Sequence, residues 1–520
     1  MSFERASGVL AHPTSFPGPH GIGDLGGAAF RFVDWLALAG QRLWQVMPLG
    51  PTGYGNSPYS SPSSYAGNSL LISLDWLVGD GLLEADDLGI DLQFPDYDVD
   101  FGRVIGFKAS ILHRAFDRFR AGAASHMRAD LDEFCIREAV WLDDFALFMA
   151  IKEAHGGSAW SEWEEPIRLR QPAALSEWRQ RLDASVRYNQ FVQFLFRRQW
   201  SELKNYANAR SVRIIGDIPI FVAHDSVEVW TNRHLFFLDE HGAPTVVAGV
   251  PPDPFSATGQ TWGNPVYNWG AVAAEGYNLW IERVRTVLAT VDIIRIDHFR
   301  GFAAAWVVPA GAPTAAAGRW YRGPGTDIFT AIHDALGETP FIVEDLGVIT
   351  PDVVALRESL GLPGMSVLQF GFEGDPSNVY LPHNYDRNTV VYSATHDNQT
   401  TIGWFYSLLE SERQTVQRYI GNDGSDIAWD LLRLALASVA NTAILALQDI
   451  MRLGDEARMN VPGRTMGNWG WRFLPHQLHD GLAAGLGELT ATYGRRVQSQ
   501  RVRAENVFDY TVPNTGYPAV

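Results

Sequence analysis

The sequence predicts an α/β fold, a (β/α)₈ TIM barrel, and two observations support this prediction. Short apolar runs that end at Gly, Pro or Asp alternate with longer stretches of helical periodicity, as in a parallel sheet covered by helices. Three of these runs, at 291–299, 341–347 and 390–398, also end in carboxylates. Because burying an unpaired charge is costly, acids at the ends of strands predict a catalytic face.

The predicted strands number about eight, which favours a closed barrel over an open sheet. They lie at 41–50, 69–74, 212–221, 291–299, 340–346, 365–372 and 389–395, with the last assigned to ARMNVPG at 457–463. Helical periodicity predicts helices between them at 28–40, 277–291, 328–337 and 426–447.

Three segments interrupt this alternation within one catalytic barrel spanning 1–520. The stretch from about 85 to 205 has helical periodicity, which predicts a mainly helical insertion subdomain. The segments 50–68 and 242–270 are too long for simple connectors. Long ordered loops in compact domains are commonly functional, so both are predicted to be active-site loops.

The composition excludes several classes of function. The 520 residues are 46% hydrophobic and carry a net charge of −18, which argues against nucleic acid or an anionic membrane as a partner. Cys135 is the only cysteine, so neither an intrachain disulfide nor a cysteine-rich metal site is expected. The first 16 residues do not resemble a secretory signal, and no apolar stretch approaches membrane-spanning length. A cytoplasmic protein is therefore predicted.

The first acidic run places an arginine beside an aspartate. Side chains alternate along a strand, so Arg295 and Asp297 face the same way while His298 faces the other. An adjacent guanidinium keeps a carboxylate ionised and oriented, as a nucleophile requires. A purely structural Arg–Asp pair explains the same pattern equally well.

The second acidic run contains two adjacent acids, and strand periodicity does not choose between them. Only one of Glu344 and Asp345 can face the barrel mouth. Apolar neighbours would raise the pKa of a glutamate that serves as general acid. An acid that caps the following helix is the simpler alternative.

The third run supplies His396 and Asp397. A metal site or a hydrolase dyad is the alternative, but the chain has neither a second His at helical ligand spacing nor a Gly-x-Ser-x-Gly elbow. No metal and no required cofactor are therefore predicted. Two acids that flank a bond, assisted by a third, match glycosyl transfer. Aromatic residues in the long loops, namely Tyr54, Tyr59, Phe255 and Trp262, are candidates for stacking on sugar rings.

Motifs along nearly the whole chain resemble those of the 4-α-glucanotransferases called amylomaltase or disproportionating enzyme, glycoside hydrolase family 77. The motifs are those at 7–26, 44–61, 216–230, 249–269, 294–302, 318–325, 343–347, 393–400, 456–463 and 467–472. The catalytic motifs show no departure from the family pattern. The segment from about 85 to 205 is the least diagnostic part.

The resemblance implies a role for each candidate residue. Asp297 would be the nucleophile, Glu344 the general acid/base and Asp397 the transition-state stabiliser. The implied substrate-binding residues are Arg295, His298, His396, Asp217, Tyr59, Tyr54, Gln260, Trp262, Asp345, Phe370 and Asn468, with 249–269 forming a flap over the site. The implied partners are α-1,4-glucans and glucose. An α-amylase-type retaining hydrolase is the alternative, followed by a non-catalytic glucan-binding protein.

Overall fold

The computed structural model describes residues 3–89, 93–252 and 256–496. It contains twelve strands in these parts of the chain. They are β1 (Ala6–Leu10), β2 (Leu43–Gln45), β3 (Arg213–Pro219), β4 (Val246–Val250), β5 (Gln260–Pro265), β6 (Ile293–Asp297), β7 (Ala304–Pro309), β8 (Arg319–Arg322), β9 (Phe341–Val343), β10 (Gly364–Val367), β11 (Thr389–Tyr392) and β12 (Thr442–Ala446).

Eight of these strands form the predicted parallel barrel. Their hydrogen-bonded order is β10-β11-β12-β1-β2-β3-β6-β9, and all seven pairings between neighbours in this order are parallel. At the seam between β9 and β10, the N–H of Val343 donates to the carbonyl of Pro363 over 3.2 Å. The (β/α)₈ prediction is confirmed.

Helices surround this barrel. Before β3 they are α1 (Gly27–Leu38), α2 (Leu74–Gly79), α3 (Phe101–Arg120), α4 (Arg128–Arg137), α5 (Ala139–Ala154), α6 (Glu165–Arg168), α7 (Pro172–Arg181) and α8 (Asp183–Ala209). After β3 they are α9 (Val227–Thr231), α10 (Trp269–Ala274), α11 (Asn278–Thr290), α12 (Arg300–Ala303), α13 (Asp327–Leu336), α14 (Pro351–Ser359), α15 (Thr401–Ser407), α16 (Glu410–Ile420), α17 (Ile427–Ala437), α18 (Leu447–Ile450) and α19 (Asp480–Thr492).

Three predicted elements are wrong. The run at 69–74 is a 3₁₀ turn, Ser69–Leu71, followed by the start of α2. The segment 457–463 is irregular, since Asn, Pro and Gly are poor strand formers. The last barrel strand is instead β12, which occupies the second half of the helix predicted at 426–447, where α17 already ends at Ala437. The first strand, β1, was not predicted.

The two long loops differ in structure. Segment 50–68 has two 3₁₀ turns, Tyr54–Asn56 and Pro58–Ser60, and otherwise irregular backbone. Segment 242–270 contains two strands, β4 and β5, which pair with each other and join β7 and β8 in a four-stranded antiparallel sheet. Helices α3 to α8 occupy most of the region from 85 to 205. Its division from the barrel as a subdomain stays an interpretation.

The apolar core has two main parts separated by the barrel wall. A smaller cluster fills the barrel interior and includes Ile215, Ile293 and Ile342. A larger cluster lies between the barrel and its helices and includes Ile214, Ile294 and Val343. Adjacent residues of one strand thus belong to different clusters, as strand alternation requires. No helix within the described ranges is long and apolar enough to span a bilayer.

Candidate active site

The register of three neighbouring strands brings the predicted acids together. Asp217 of β3 pairs with Arg295 of β6, and Arg295 pairs with Ile342 of β9. Ile293 and Ile342 belong to the interior cluster, so Arg295 and Glu344, each two residues further on, also face inward. The candidate site therefore lies at the carboxyl ends of the barrel strands, where TIM-barrel enzymes carry their catalytic residues.

Arg295 is the centre of this cluster. One guanidinium nitrogen forms an ion pair with Asp217 and donates to Oδ1 of Asp297 over 3.1 Å. The second terminal nitrogen, Nη2, lies 3.1 Å from Oε2 of Glu344. The side chains of Arg295 and Asp217 are 3% and 1% exposed, whereas those of Asp297 and Glu344 are 26% and 21% exposed. Arg295 and Asp217 therefore lie buried beneath the site, whereas Asp297 and Glu344 are accessible to a substrate.

One cation faces three carboxylates, and this imbalance controls protonation. Burial and the facing Glu344 carboxylate raise the pKa of Asp297 well above its usual range. At Glu344 the Arg295 cation, together with hydrogen bonds from Asp297 and the His298 N–H, outweighs burial and lowers the pKa. These opposite shifts favour a single proton shared by the pair, because two adjacent carboxylates do not readily ionise together.

His298 fixes the position of the Glu344 carboxylate through its backbone. Its φ of 53° lies in the left-handed region, and its N–H donates to Oε2 of Glu344 over 2.8 Å. The next N–H, of Phe299, donates to the Glu344 carbonyl over 3.0 Å. Burial lowers the pKa of the imidazole to about 4, so His298 is neutral at physiological pH. The turn after β6 thus holds the acid that follows β9.

Asp345 faces the other way and lies at the barrel seam. Its Oδ1 accepts from the N–H of Met365 in β10 over 2.7 Å, and Arg357 lies 3.2 Å from Oδ2. The first contact ties the end of β9 to β10, and the second ties it to α14. A role for Asp345 in substrate binding stays a prediction.

Asp397 follows β11 and is held by the loop after β12. Asn460 Nδ2 donates to Asp397 Oδ1 over 2.6 Å, and Arg458 donates to the Asp397 carbonyl over 2.8 Å. His396 Nε2 lies 3.5 Å from the same Oδ1. The Asp397 side chain is 46% exposed, so this carboxylate is fixed at one oxygen and still open to solvent.

Tyr59 connects the loop at 50–68 to both sides of the site. Its hydroxyl donates to Oδ2 of Asp217 over 2.9 Å, and burial together with Asp217 raises its pKa, so it stays protonated. Its ring stacks on His396 with centroids 5.1 Å apart and lies 5.8 Å from Trp469. Tyr59, His396 and Trp469 therefore form an aromatic wall beside the carboxylates.

The match to known proteins agrees with this geometry. A family model described as 4-alpha-glucanotransferase, glycoside hydrolase family 77, matches residues 11–477. The chain belongs to glycoside hydrolase family 77. It is 51% identical over 503 residues to the 4-alpha-glucanotransferase of Synechocystis, covering 96% of this chain and 99% of that one. It is 48% identical over 515 residues to the Thermus thermophilus 4-alpha-glucanotransferase, covering 98% and 100% of the two chains.

A solved structure of the family has the same fold. The amylomaltase from Streptococcus agalactiae, determined in complex with acarbose, superposes with a TM-score of 0.91 at 40% identity. The match covers 95% of this chain and 100% of that one. The likeness therefore extends over almost the whole chain.

The segment predicted to form a flap is described in part. Trp262 lies on β5 with its ring nearly perpendicular to that of His298, at a centroid distance of 4.8 Å and an interplanar angle of 81°. Its indole N–H donates to Gln260 over 3.2 Å. This segment therefore contacts the candidate site through Trp262, and its role as a flap stays a prediction. Phe255, the other predicted flap aromatic, lies outside the described residues.

Three predicted binding residues of the family 77 site have no described contact with the carboxylates. Tyr54 is 79% exposed at the loop tip. Phe370 packs against the interior cluster and against Tyr380, with ring centroids 5.7 Å apart. Asn468 donates to the Arg464 carbonyl over 2.8 Å and accepts from Val461 over 3.1 Å, and so supports its own loop. Sugar contacts by these residues stay predictions.

Sequence reasoning missed three residues of this site: Asn460, Arg458 and Trp469. All three lie in motifs that the family resemblance includes, but the strand predicted at 457–463 hides Arg458 and Asn460 as candidates. The sequence does contain a signal for a loop there, because Pro462 lacks a backbone donor and Gly463 is a poor strand former. In the structure Gly463 has a φ of 81°. Among the described residues, no group of three or more His, Cys, Asp or Glu could hold a metal ion.

Proposed function

We propose that this protein is a 4-α-glucanotransferase that moves segments of α-1,4-glucan from a donor to the 4-hydroxyl of an acceptor glucan or of glucose. Family 77 membership defines the class of reaction. The observation that carries the proposal is the Arg295 cluster, in which Asp297 and Glu344 are held side by side by one buried guanidinium. That arrangement supplies a nucleophile and an acid/base at one bond, as retaining glycosyl transfer requires.

In the first half of the proposed reaction, Asp297 attacks the anomeric carbon of the donor. A carbon–oxygen bond to Asp297 forms as the glycosidic bond breaks, and Glu344 gives its proton to the departing 4-oxygen. In the second half, Glu344 takes the proton of the acceptor 4-hydroxyl, whose oxygen attacks the same carbon and releases Asp297. Two displacements restore the α configuration.

The single proton of the Asp297–Glu344 pair must lie on Glu344 when attack begins. Arg295 and the His298 N–H stabilise ionised Glu344 and so favour the proton on Asp297. A sugar between the two groups separates them and offers its glycosidic oxygen to Glu344. We infer that substrate binding moves the proton to Glu344, leaving Asp297 ionised and paired with Arg295.

The remaining residues act on the sugar at the reacting centre. Positive charge develops at the anomeric carbon in the transition state, and the exposed Asp397 carboxylate, fixed by Asn460, stabilises that charge. Tyr59 and Trp262 offer apolar ring faces to the pyranose. Transfer dominates when a sugar acceptor excludes water, and Trp262 on the flap is positioned for that exclusion.

The product profile from pure maltotriose tests this function. Free glucose, total reducing ends and chain lengths are followed together. Glucose with maltopentaose and longer chains, at nearly constant reducing ends, supports the transferase. Shorter sugars with rising reducing ends would identify an α-amylase-type hydrolase. Binding of maltotriose without turnover would identify a glucan-binding protein.

Independence from a cofactor and a cytoplasmic location are further proposals. The single cysteine, Cys135, supports the location, since secreted proteins commonly rely on disulfides. Subcellular fractionation tests it, and recovery outside the cytoplasm would contradict it. Dialysis against EDTA should leave transfer unchanged, whereas a loss that Ca²⁺ restores would show a metal requirement.

A further inference from the structure

We propose that the helical insertion positions Tyr59 for catalysis, and that Gln193 of α8 is the positioning residue. This inference rests on the proposed function, and it gives the region between 85 and 205 a role in the reaction. Its starting point is a pair of hydrogen bonds between helix α8 and the loop that carries Tyr59.

The first step is the contact itself. The carboxamide of Gln193 accepts from the N–H of Gly67 over 2.7 Å and donates to the carbonyl of the same residue over 3.0 Å. Gln193 is only 4% exposed, so water does not readily replace either bond. A side-chain amide that pairs with both polar groups of one residue imitates the neighbouring strand of a sheet. It therefore holds the backbone in position and in orientation.

Close packing reinforces this contact. A Cβ atom at Gly67 would lie 1.9 Å from Cδ1 of Phe196, which is also on α8. Glycine is therefore needed at this position so that the loop can approach the helix. The loop is also fixed by Glu228, which accepts from the N–H of Ser64 over 2.6 Å.

The second step is the path from this loop to the catalytic groups. Tyr59 lies on the same loop, and its hydroxyl donates to Asp217 over 2.9 Å. Asp217 is paired with Arg295, which holds both Asp297 and Glu344. A cavity of about 70 Å³, lined in part by Tyr59, Gly67 and Gln193, lies beside this loop. A loop released from α8 has space to shift, and Tyr59 would shift with it.

The chain provides a matched control on the same helix. Gln199 accepts from the N–H of Ser73 over 2.7 Å and donates to its carbonyl over 3.1 Å. Gln199 is fully buried, and its loop leads into α2 rather than to Tyr59. Gln193→Met and Gln199→Met therefore remove the same pair of hydrogen bonds at similar burial. Only the first is expected to displace a residue of the active site.

The experiment compares kcat and KM for maltotriose disproportionation in the wild type and both variants. Both variants should melt at lower temperature than the wild type. Gln193→Met should raise KM and lower kcat/KM roughly 10- to 100-fold, since small misplacements of a substrate-contacting group are costly. Gln199→Met should leave KM unchanged, because partial unfolding lowers only the active fraction. Equal KM values for the two variants would overturn the positioning role.

Two further variants keep the inference testable. When Tyr59→Phe is combined with Gln193→Met, the loss in log(kcat/KM) should be smaller than the sum of the losses in the two single variants. When Tyr59→Phe is combined with Gln199→Met, the two losses should add. Additivity in both pairs would contradict the proposal. Gly67→Ala, which pushes the loop away from Phe196, should reproduce the rise in KM even if Gln193→Met does not fold. An unchanged KM in folded Gly67→Ala would overturn the proposal, and a wild type without transfer would overturn it together with the proposed function.

Discussion

The backbone N–H of His298 donates to the Glu344 carboxylate over 2.8 Å, so the turn that follows β6 orients the acid that follows the neighbouring strand β9. The left-handed φ of 53° at His298 makes this contact possible. Because it is a backbone contact, we expect it to persist when the His298 side chain is changed. The relative position of the Asp297 and Glu344 carboxyl groups is thus a property of the barrel itself.

Replacement of the adjacent acids Glu344 and Asp345 by the corresponding amides should have different effects. Glu344→Gln removes the transferable proton, and we expect kcat for maltotriose to fall about 10³-fold, within the usual range for loss of a general acid. Asp345→Asn should lower the melting temperature, because it weakens the contacts of Asp345 with Arg357 and Met365, but should retain most of kcat. Steady-state kinetics with thermal melting distinguishes the two, and a larger loss of kcat in Asp345→Asn would contradict the assignment.

Stereochemistry tests the double displacement directly. Proton NMR of the transfer products of a maltooligosaccharide digest should show the newly formed glycosidic bonds in the α configuration. Two displacements through Asp297 retain the configuration of the donor, whereas a single direct attack by the acceptor inverts it. Formation of β-linked products would exclude Asp297 as a nucleophile.

Asn460 should be needed to keep Asp397 in position. Asn460→Ala removes the 2.6 Å hydrogen bond to Asp397 Oδ1, and we expect kcat to fall roughly 10- to 100-fold because the stabilising carboxylate is no longer held in one orientation. Asn422→Ala is the control, since Asn422 makes a similar 2.9 Å bond to Asp430 on the surface. Equal kcat values for the two variants would show that this contact has only a structural role.

Trp262 should decide how well water competes with a sugar acceptor. Trp262→Ala removes the ring that lies against His298, and we expect the share of hydrolysis in the maltotriose products to rise. Tyr406→Ala, a change at a residue that is 63% exposed, should leave that share unchanged. The measured quantity is the ratio of new reducing ends to transferred glucose units. The same ratio in the wild type and Trp262→Ala would show that Trp262 does not exclude water from the reaction.

Buried histidines should make stability fall in mild acid. Burial lowers the pKa of His20 to about 4, whereas the unfolded chain titrates near the ordinary value of 6.5. Between these values the unfolded state binds the proton and the folded state does not, so stability declines as pH falls from 6.5 to about 4. Each such group adds a slope of up to about 1.4 kcal/mol per pH unit.

The His20→Gln variant isolates this contribution. Urea unfolding at pH 7 and pH 5 should show a smaller loss of the free energy of unfolding in His20→Gln than in the wild type. His241→Gln, at an exposed residue, should behave as the wild type does. A His20→Gln variant with the wild-type pH dependence would show that this imidazole is not the titrating group.

Local patterns in the sequence were sufficient for much of the barrel. The strands predicted from the acidic runs are present as β6, β9 and β11. Continuous apolar segments of that length are stable only when both faces of the strand are covered. Periodicity also located α1, α11 and α13 to within about two residues. The failure at 426–447 has a similar local cause, since the short apolar run at its end fits a helix and a buried strand equally well.

The sequence by itself determined the composition of each strand and the common face of Arg295 and Asp297, since the alternation of side chains is a property of the extended backbone. Only the tertiary structure decided which neighbour faced the interior at Glu344 and Asp345, because that depends on how β9 is oriented against Ile293 and Ile342. It also brought Asn460 to Asp397 across 63 residues and Tyr59 to Asp217 across 158. Such contacts follow from barrel closure and loop packing, which no local pattern of residues contains.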